Sequence, residues 1–104
     1  GIIMKTKLKL FISQPMKGRT NDDIESERAA VVGLFDTAKV EIELIDSFFK
    51  YAPAQAAPLW HLGESIKRLG EADVVYFCKD WQLYNGCVIE HECAVRYGKT
   101  VLYA

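Results

Sequence analysis

The sequence has few of the features that mark specialised classes of protein. It contains three cysteines, Cys78, Cys87 and Cys93, an odd number with no C-x-x-C pair. This favours reduced thiols over a disulfide-built scaffold. No apolar span is long enough to cross a bilayer, and a formal net charge of −1 provides no basic field for nucleic acid. We therefore predict a cytoplasmic protein that binds neither membranes nor nucleic acid.

Length and composition predict one domain over residues 1–104. The chain has 104 residues and half of them are hydrophobic, enough for a core at a common domain size. It shows no signal-peptide pattern, repeat or low-complexity tract, and the linker-like segment 52–58 is too short to separate domains. Residues 1–3, ahead of Met4, are either an expression remnant or a native start.

Apolar runs alternate with helical patterns along the chain. Strands are predicted at residues 8–13, 40–45, 73–78 and 99–103, and helices from Asn21 or Asp22, from Pro58 to Gly70, and over residues 86–97. The glutamates of the second strand favour an edge position, since they need water. Strands that alternate with helices indicate right-handed crossovers and therefore an α/β fold with a parallel sheet.

Local signals give two of these helices a predicted start and a buried side. Asn21 or Asp22 could cap the first helix, with Glu25 completing a capping-box pattern. Its predicted apolar side is Ile24, Ala29, Val31, Val32 and Phe35. Pro58 suits the first turn of the second helix, whose predicted buried side is Leu59, Leu62, Ile66 and Leu69.

Ligands of such sheets bind beyond the carboxyl ends of the strands. Segments 13–19, 46–51 and 79–86 are predicted to converge there. The first, SQPMKGR, combines a hydroxyl, two cations and a glycine before a helix. It is either an anion site or a turn with two solvated cations.

Glu90 is the acid whose context most favours chemistry. Asn85-Gly86 follows an apolar strand and opens a helix that carries Glu90, so backbone N–H donors and the positive helix end face the same crevice. The simpler alternative is that Glu90 and Glu92 belong to a solvated helix face. Cys87 and His91 lie one helical turn apart, but no second pair has ligand spacing, so we predict no metal and no other cofactor.

Two motifs in order carry a resemblance to a known family. FISQPMKGR near the start and AD-x(16)-E-x(3)-A-x(3)-GK near the end resemble the nucleoside 2-deoxyribosyltransferase superfamily. The pattern is most similar to a branch of short bacterial and phage proteins of unassigned function with a Y-I-S-G-P-M-type opening. The resemblance implies a Rossmann-like, flavodoxin-type three-layer sandwich with strand order 2-1-3-4, and an enzyme that cleaves the N-glycosidic bond of 2′-deoxynucleosides or their monophosphates.

The resemblance also implies a role for individual residues. Glu90 matches the nucleophile that attacks the anomeric carbon, and Asp73 matches an aspartate that orders this glutamate or protonates the leaving base. Trp81 or Tyr84 could stack on the base. The implied substrate-binding set is Phe11, Ser13, Met16, Lys17, Gly18, Arg19, Asp80, Trp81, Tyr84, Asn85 and Gly86.

Some positions depart from the family pattern. Phe11 stands where many members carry a tyrosine, and Pro15 and Tyr84 stand where phosphate-binding hydrolases carry serines. Two functions follow as hypotheses: an N-glycosidase or deoxyribosyltransferase that uses Glu90, or a catalytically inactive nucleotide-binding module. The many aromatic residues of a small domain also favour a homo-oligomer, a dimer or higher, with Phe48, Phe49, Tyr51 and Trp60 as core, lid or dimer contact.

Overall fold

The chain folds into a parallel four-stranded sheet covered by helices on both faces. The structure, a computed structural model, describes residues 7–104, so the prediction for residues 1–3 lies outside the described residues. The elements are β1 (Leu8–Ser13), α1 (Asn21–Thr37), β2 (Ile42–Leu44), α2 (Pro58–Leu69), β3 (Val74–Phe77), a 3₁₀ turn (Trp81–Leu83), α3 (Asn85–Arg96) and β4 (Thr100–Tyr103). The strand order is β2-β1-β3-β4 and all pairs are parallel. The predicted Rossmann-like three-layer sandwich is therefore confirmed.

The alternation of side chains along β1 and β3 builds two apolar layers. Leu10 and Ile12 join Val74 and Tyr76 on the face that α1 covers through Val31 and Phe35. Phe11, Val75 and Phe77 point to the opposite face, where Leu69 of α2 and Ala94 of α3 cover them. Because both central strands are covered on both faces, their sequences are almost continuously hydrophobic.

The outer strands are shorter than their sequence patterns predict. β2 pairs only over Ile42–Leu44, and it lies at the edge of the sheet as predicted, with Glu43 exposed. Ile45, beyond the end of β2, is buried and its N–H donates to the carbonyl of Leu10. The chain therefore continues beyond β2 as an irregular segment in which Ile45 and Ser47 are buried.

The N-cap of α1 is Thr20, so the prediction of Asn21 or Asp22 was wrong. Thr20 has extended backbone angles and its Oγ1 accepts a hydrogen bond from the N–H of Asp23 at 3.1 Å. Asn21 is already the first helical residue, one position too late to cap. The buried side of the helix also differs, since Ala29 is exposed and Arg28 is buried.

α2 begins at Pro58 as predicted, but its first turn does not pack on the sheet. Leu69 at its end is buried, whereas Leu59 is 77% exposed, against the prediction. The helix starts beyond the carboxyl edge of the strands and ends near the start of β3, so only its later turns reach the strands. No helix within residues 7–104 has the length and hydrophobicity needed to cross a membrane.

Candidate functional site

A cleft of about 530 Å³ opens at the carboxyl edge of the sheet. Its walls come from the end of β1 and the loop after it, the loop after β2, and the first turns of α2 and α3. The side chains that line it are mostly apolar: Phe11, Ile12, Pro15, Met16, Phe48, Phe49, Pro58, Leu62 and Tyr84, with Gly86. The polar and ionisable lining residues are Gln14, Lys17, Ser47, His61, Ser65, Cys87 and Glu90.

Glu90 is the one carboxylate among the described residues that line this cleft. It lies on the buried stripe of α3, together with Cys87 one turn before it and Ala94 one turn after it. This spacing directs the side chain inward, toward the end of β1, and leaves it only 7% exposed. The helix thus carries an ionisable carboxyl group into a cleft whose lining is mostly apolar.

Two serines from different elements hold this carboxylate. Ser13, the last residue of β1, donates its hydroxyl to Glu90 Oε1 at 2.7 Å. A side-chain hydrogen bond with Ser65 of α2 also favours the charged form. Burial acts in the opposite direction and is the stronger effect, so the pKa of Glu90 rises to about 7. The carboxyl group therefore changes charge near neutral pH.

Cys87 shares the cleft with Glu90 but is poorly suited to act as a nucleophile. Its thiol is buried, and this burial raises the pKa of Cys87 to about 11. Thiol nucleophiles react as thiolates, and burial in apolar surroundings suppresses that form. Cys87 therefore contributes a neutral side chain to the cleft wall.

A buried arginine supports the wall that faces Glu90 from β1 and the loop after β2. Arg28 of α1 donates hydrogen bonds to Gln14 Oε1 at 3.4 Å, to Ser47 Oγ at 3.1 Å and to the carbonyl of Ile45 at 3.3 Å. Its partners Gln14 and Ser47 line the cleft. Burial lowers the pKa of Arg28. This role could not be predicted from the sequence, because an arginine in mid-helix is ordinarily solvated.

The two cations of the loop after β1, Lys17 and Arg19, have different surroundings. Lys17 and Met16 line the cleft, as predicted for substrate-binding residues. Arg19 instead donates to Glu27 Oε1 at 2.7 Å and to the carbonyl of Pro15 at 2.8 Å, and the hydrogen bond with Glu27 raises the pKa of Arg19. Arg19 thus holds the loop against α1. Gly18, between these two cations, has a φ of 78°. Glycine adopts this angle without strain because it has no Cβ.

Asp73 lies at the other end of the sheet from Glu90. It precedes β3, and its carboxylate accepts a hydrogen bond from the N–H of Lys9, near the start of β1, at 2.8 Å. Glu90 bonds to Ser13 at the far end of that same strand. The structure therefore does not bring the two predicted catalytic acids together, and Asp73 joins the amino ends of two neighbouring strands instead.

Two further predicted residues line a separate cleft beyond β3 and β4. Asp80 and Trp81 lie there with His91 and Tyr103. The ring of Trp81 stacks on that of His91 with centroids 4.3 Å apart, and His91 Nε2 is 2.6 Å from the hydroxyl of Tyr103. Trp81 is therefore engaged with its own chain, away from Glu90.

The remaining members of the predicted set are also divided. Asn85 lines a different groove, between the first turns of α2 and α3. Cys87 and His91 face different clefts, and residues 7–104 contain no group of three or more histidine, cysteine, aspartate or glutamate side chains placed to hold a metal ion. The Glu90 cleft unites Phe11, Ser13, Met16, Lys17, Tyr84 and Gly86 from the predicted set.

Sequence reasoning missed the contribution of α2. His61 and Ser65 belong to its first two turns and both line the cleft. The available signal was Pro58, which starts a helix after a strand and so places its first turns beyond the carboxyl edge. Phe48 and Phe49 lie in the loop that was predicted to converge on the site, although no role was assigned to either of them.

Comparison with known protein families and curated proteins found no match to this sequence. The similarity to the nucleoside 2-deoxyribosyltransferase superfamily therefore remains an expectation that rests on its motifs.

Proposed function

We propose that the protein is an N-glycosidase or deoxyribosyltransferase-like enzyme that acts on a nucleoside or nucleotide. The observation that carries this proposal is the buried carboxyl group of Glu90, held by Ser13 within a cleft at the carboxyl edge of the sheet. Covalent glycosyl transfer needs an immobilised carboxylate as its nucleophile, and the hydrogen bond from Ser13 holds Glu90 in place for that role.

The cleft provides surfaces for both parts of such a substrate. Phe48, Phe49 and Tyr84 offer aromatic rings for a base, and Phe11 and Met16 offer apolar contact for a sugar. In the proposed reaction an oxygen of ionised Glu90 bonds to the anomeric carbon while the bond from that carbon to the base nitrogen breaks. Water or a second base then displaces Glu90 and completes hydrolysis or transfer.

The test is release of free base by the purified chain from a panel of ribonucleosides, 2′-deoxynucleosides and their 5′-monophosphates, followed by chromatography. Glu90→Gln keeps the shape of the side chain but removes the nucleophile, so we expect base release to fall by at least roughly 100-fold. Glu92→Gln, at an exposed position on the same helix, is the matched control and is expected to keep full activity. Equal activity of Glu90→Gln and wild type would refute the proposal.

A nucleotide-binding module without turnover is the second candidate. It is favoured by the cleft lining, which among the described residues contains no second carboxylate beside Glu90. Retaining glycosidases ordinarily use two. In this case a panel member would raise the melting temperature of the chain and be recovered intact, and Lys17→Ala would weaken the binding of 5′-monophosphates.

We also propose that the chain works as a homo-oligomer in a reducing compartment such as the cytoplasm. Large apolar side chains are exposed on α2, on α3 and in the turn before α3: Leu59, Leu83, Val88, Ile89 and Val95. A second copy would remove these side chains from water. The three free cysteines, two of them buried, support the assignment to a reducing compartment.

A further inference from the structure

A departing nucleobase needs a proton. Asp73 was the expected donor, but it lies too far from the cleft to supply that proton. When the bond to the anomeric carbon breaks, the electron pair stays on the base, and protonation of a ring nitrogen makes the base a better leaving group. Asp73 lies at the opposite edge of the sheet. Glu90 cannot supply this proton, since it must be ionised to attack.

The cleft itself limits the choice of donor. Its other ionisable lining residues are Lys17, His61, Tyr84 and Cys87. Buried Cys87 has a pKa raised to about 11. Of the three remaining side-chain types, lysine, tyrosine and histidine, histidine most often acts as a general acid in enzymes.

His61 and Glu90 line the same cleft. His61 lies in the first turns of α2 and Glu90 on α3, and these two helices form adjoining walls of one cleft. The ring of His61 meets the ring of Trp60 edge-on, with centroids 5.1 Å apart. The side chain is exposed and lines the cleft, so it can meet a ligand that enters from solvent.

We propose that His61 is the general acid of this site, protonating the departing base while Glu90 attacks the anomeric carbon. This inference rests on the proposed function. The imidazolium gives its proton to a ring nitrogen as the base leaves with the bonding electron pair. Water then attacks the anomeric carbon, the bond to Glu90 breaks, and the water proton returns to His61. Each cycle consumes one water and restores both side chains.

The titratable groups around His61 come from three segments of the chain. Lys17 faces the cleft from the loop after β1, and Tyr84, Cys87 and Glu90 face it from the start of α3. Glu64 lies one turn further along α2. Since the reaction requires ionised Glu90, we expect kcat/KM to fall as the pH drops below the raised pKa of Glu90.

The test compares two substrates that differ in their need for a proton. 2′-Deoxyguanosine needs protonation to release its base, whereas N7-methyl-2′-deoxyguanosine already carries the positive charge that protonation would supply. We expect His61→Gln to lower kcat/KM for 2′-deoxyguanosine by roughly 100-fold and to leave that for the methylated nucleoside nearly unchanged. His91→Gln, the other histidine of the chain and a residue of the separate cleft, should behave as wild type.

The outcomes separate this inference from the proposal on which it rests. Retained cleavage of the methylated nucleoside by His61→Gln shows that the variant is folded and that Glu90 still works. Equal losses on both substrates, or no loss on either, would overturn the role of His61 while a Glu90→Gln defect kept the enzyme assignment. Wild-type chain that releases base from no member of the nucleoside and nucleotide panel, the methylated nucleoside included, would overturn both.

Discussion

At the scale of single residues, two opposing effects determine the pKa of Glu90. Desolvation favours its neutral form, while the hydrogen bonds from Ser13 and Ser65 favour the charged form. The resulting pKa of about 7 makes its protonation, and any chemistry that depends on it, sensitive to small changes nearby.

This balance links Glu90 to the pH dependence of stability. Because its pKa rises from 4.5 to about 7 on folding, the folded chain keeps a proton that the unfolded chain loses. The stability that this proton contributes is complete below about pH 4.5 and is lost as pH rises to about 7, a change of about 3 kcal/mol. We expect urea denaturation between pH 4 and 8 to show this fall in wild type and not in Glu90→Gln. Parallel curves for the two proteins would contradict it.

Ser13 is expected to tune the carboxyl group directly. Ser13→Ala removes a hydrogen bond to the charged form, a loss of about 1.5 kcal/mol for the carboxylate, and so raises the pKa of Glu90 further. Carbon-13 NMR titration of the glutamate carboxyl groups would measure this change. Ser26→Ala, on the exposed surface of α1, is the control and should leave the titration unaltered.

Asp73 is expected to matter for stability alone. Asp73→Ala removes the acceptor of the Lys9 N–H, and we expect it to lower the free energy of unfolding by about 1–2 kcal/mol. Base release per folded molecule should be unchanged, since Asp73 lies away from the cleft. A loss of turnover in chain that remains folded would show that Asp73 takes part in the reaction.

At the scale of elements, α1 is fixed at its start and in its middle by polar contacts. Thr20 caps its first turn, and Arg28 joins its inner face to Gln14, Ser47 and the carbonyl of Ile45. The helix therefore positions two side chains of the cleft wall without entering the cleft. Packing of α1 and geometry of the site are coupled through Arg28.

The cap of α1 can be tested by paired substitutions. Thr20→Ala should lower the free energy of unfolding by about 1 kcal/mol, because the N–H of Asp23 loses its partner. Asn21→Ala, at the position next to it, should change stability by only a few tenths of a kcal/mol. Thermal or urea denaturation measures both, and the reverse ranking would restore Asn21 as the cap.

At the scale of the whole molecule, the sheet order decides where chemistry is possible. β1 and β3 are the central strands, and each is followed at its carboxyl end by a segment that faces a different cleft. The Glu90 cleft lies on the α2 and α3 side, where helix starts and aromatic loops surround it. The exposed apolar residues of those same helices form the surface proposed to meet a second copy.

That surface predicts the behaviour of the chain in solution. We expect sedimentation velocity to detect a dimer or larger species in wild type, and Leu59→Glu to shift it toward monomer, since a buried unpaired charge opposes association. Leu34→Glu, also at an exposed leucine but on α1, should leave the distribution unchanged. Monomeric wild type at high concentration would refute this prediction.

The particular elements show how far the pattern of residues determines this fold. The continuous apolar runs of β1 and β3, the glutamates of β2 and Pro58 at the start of α2 were sufficient for the parallel sheet and for the edge position of β2. The ends of the helices are harder to predict, because an N-cap depends on the backbone angles of one residue. Thr20, the N-cap of α1, is an example. Leu59 was wrongly predicted to be buried, because the periodicity of a helix cannot show where the sheet beneath it ends.

The sequence by itself determined that an α/β domain would bring the ends of its strands to one edge, and that Glu90 stood out among its acids. Only the tertiary structure decided which side chains share the cleft with it. Asp73, a residue of the motif, and Trp81, a residue expected to stack on the base, both lie away from the Glu90 cleft. Ser65 and His61 line that cleft instead, and Arg28 supports its wall. The reason is physical: local pattern fixes which strands and helices form, whereas the meeting of side chains far apart in the chain depends on helix length, strand register and packing.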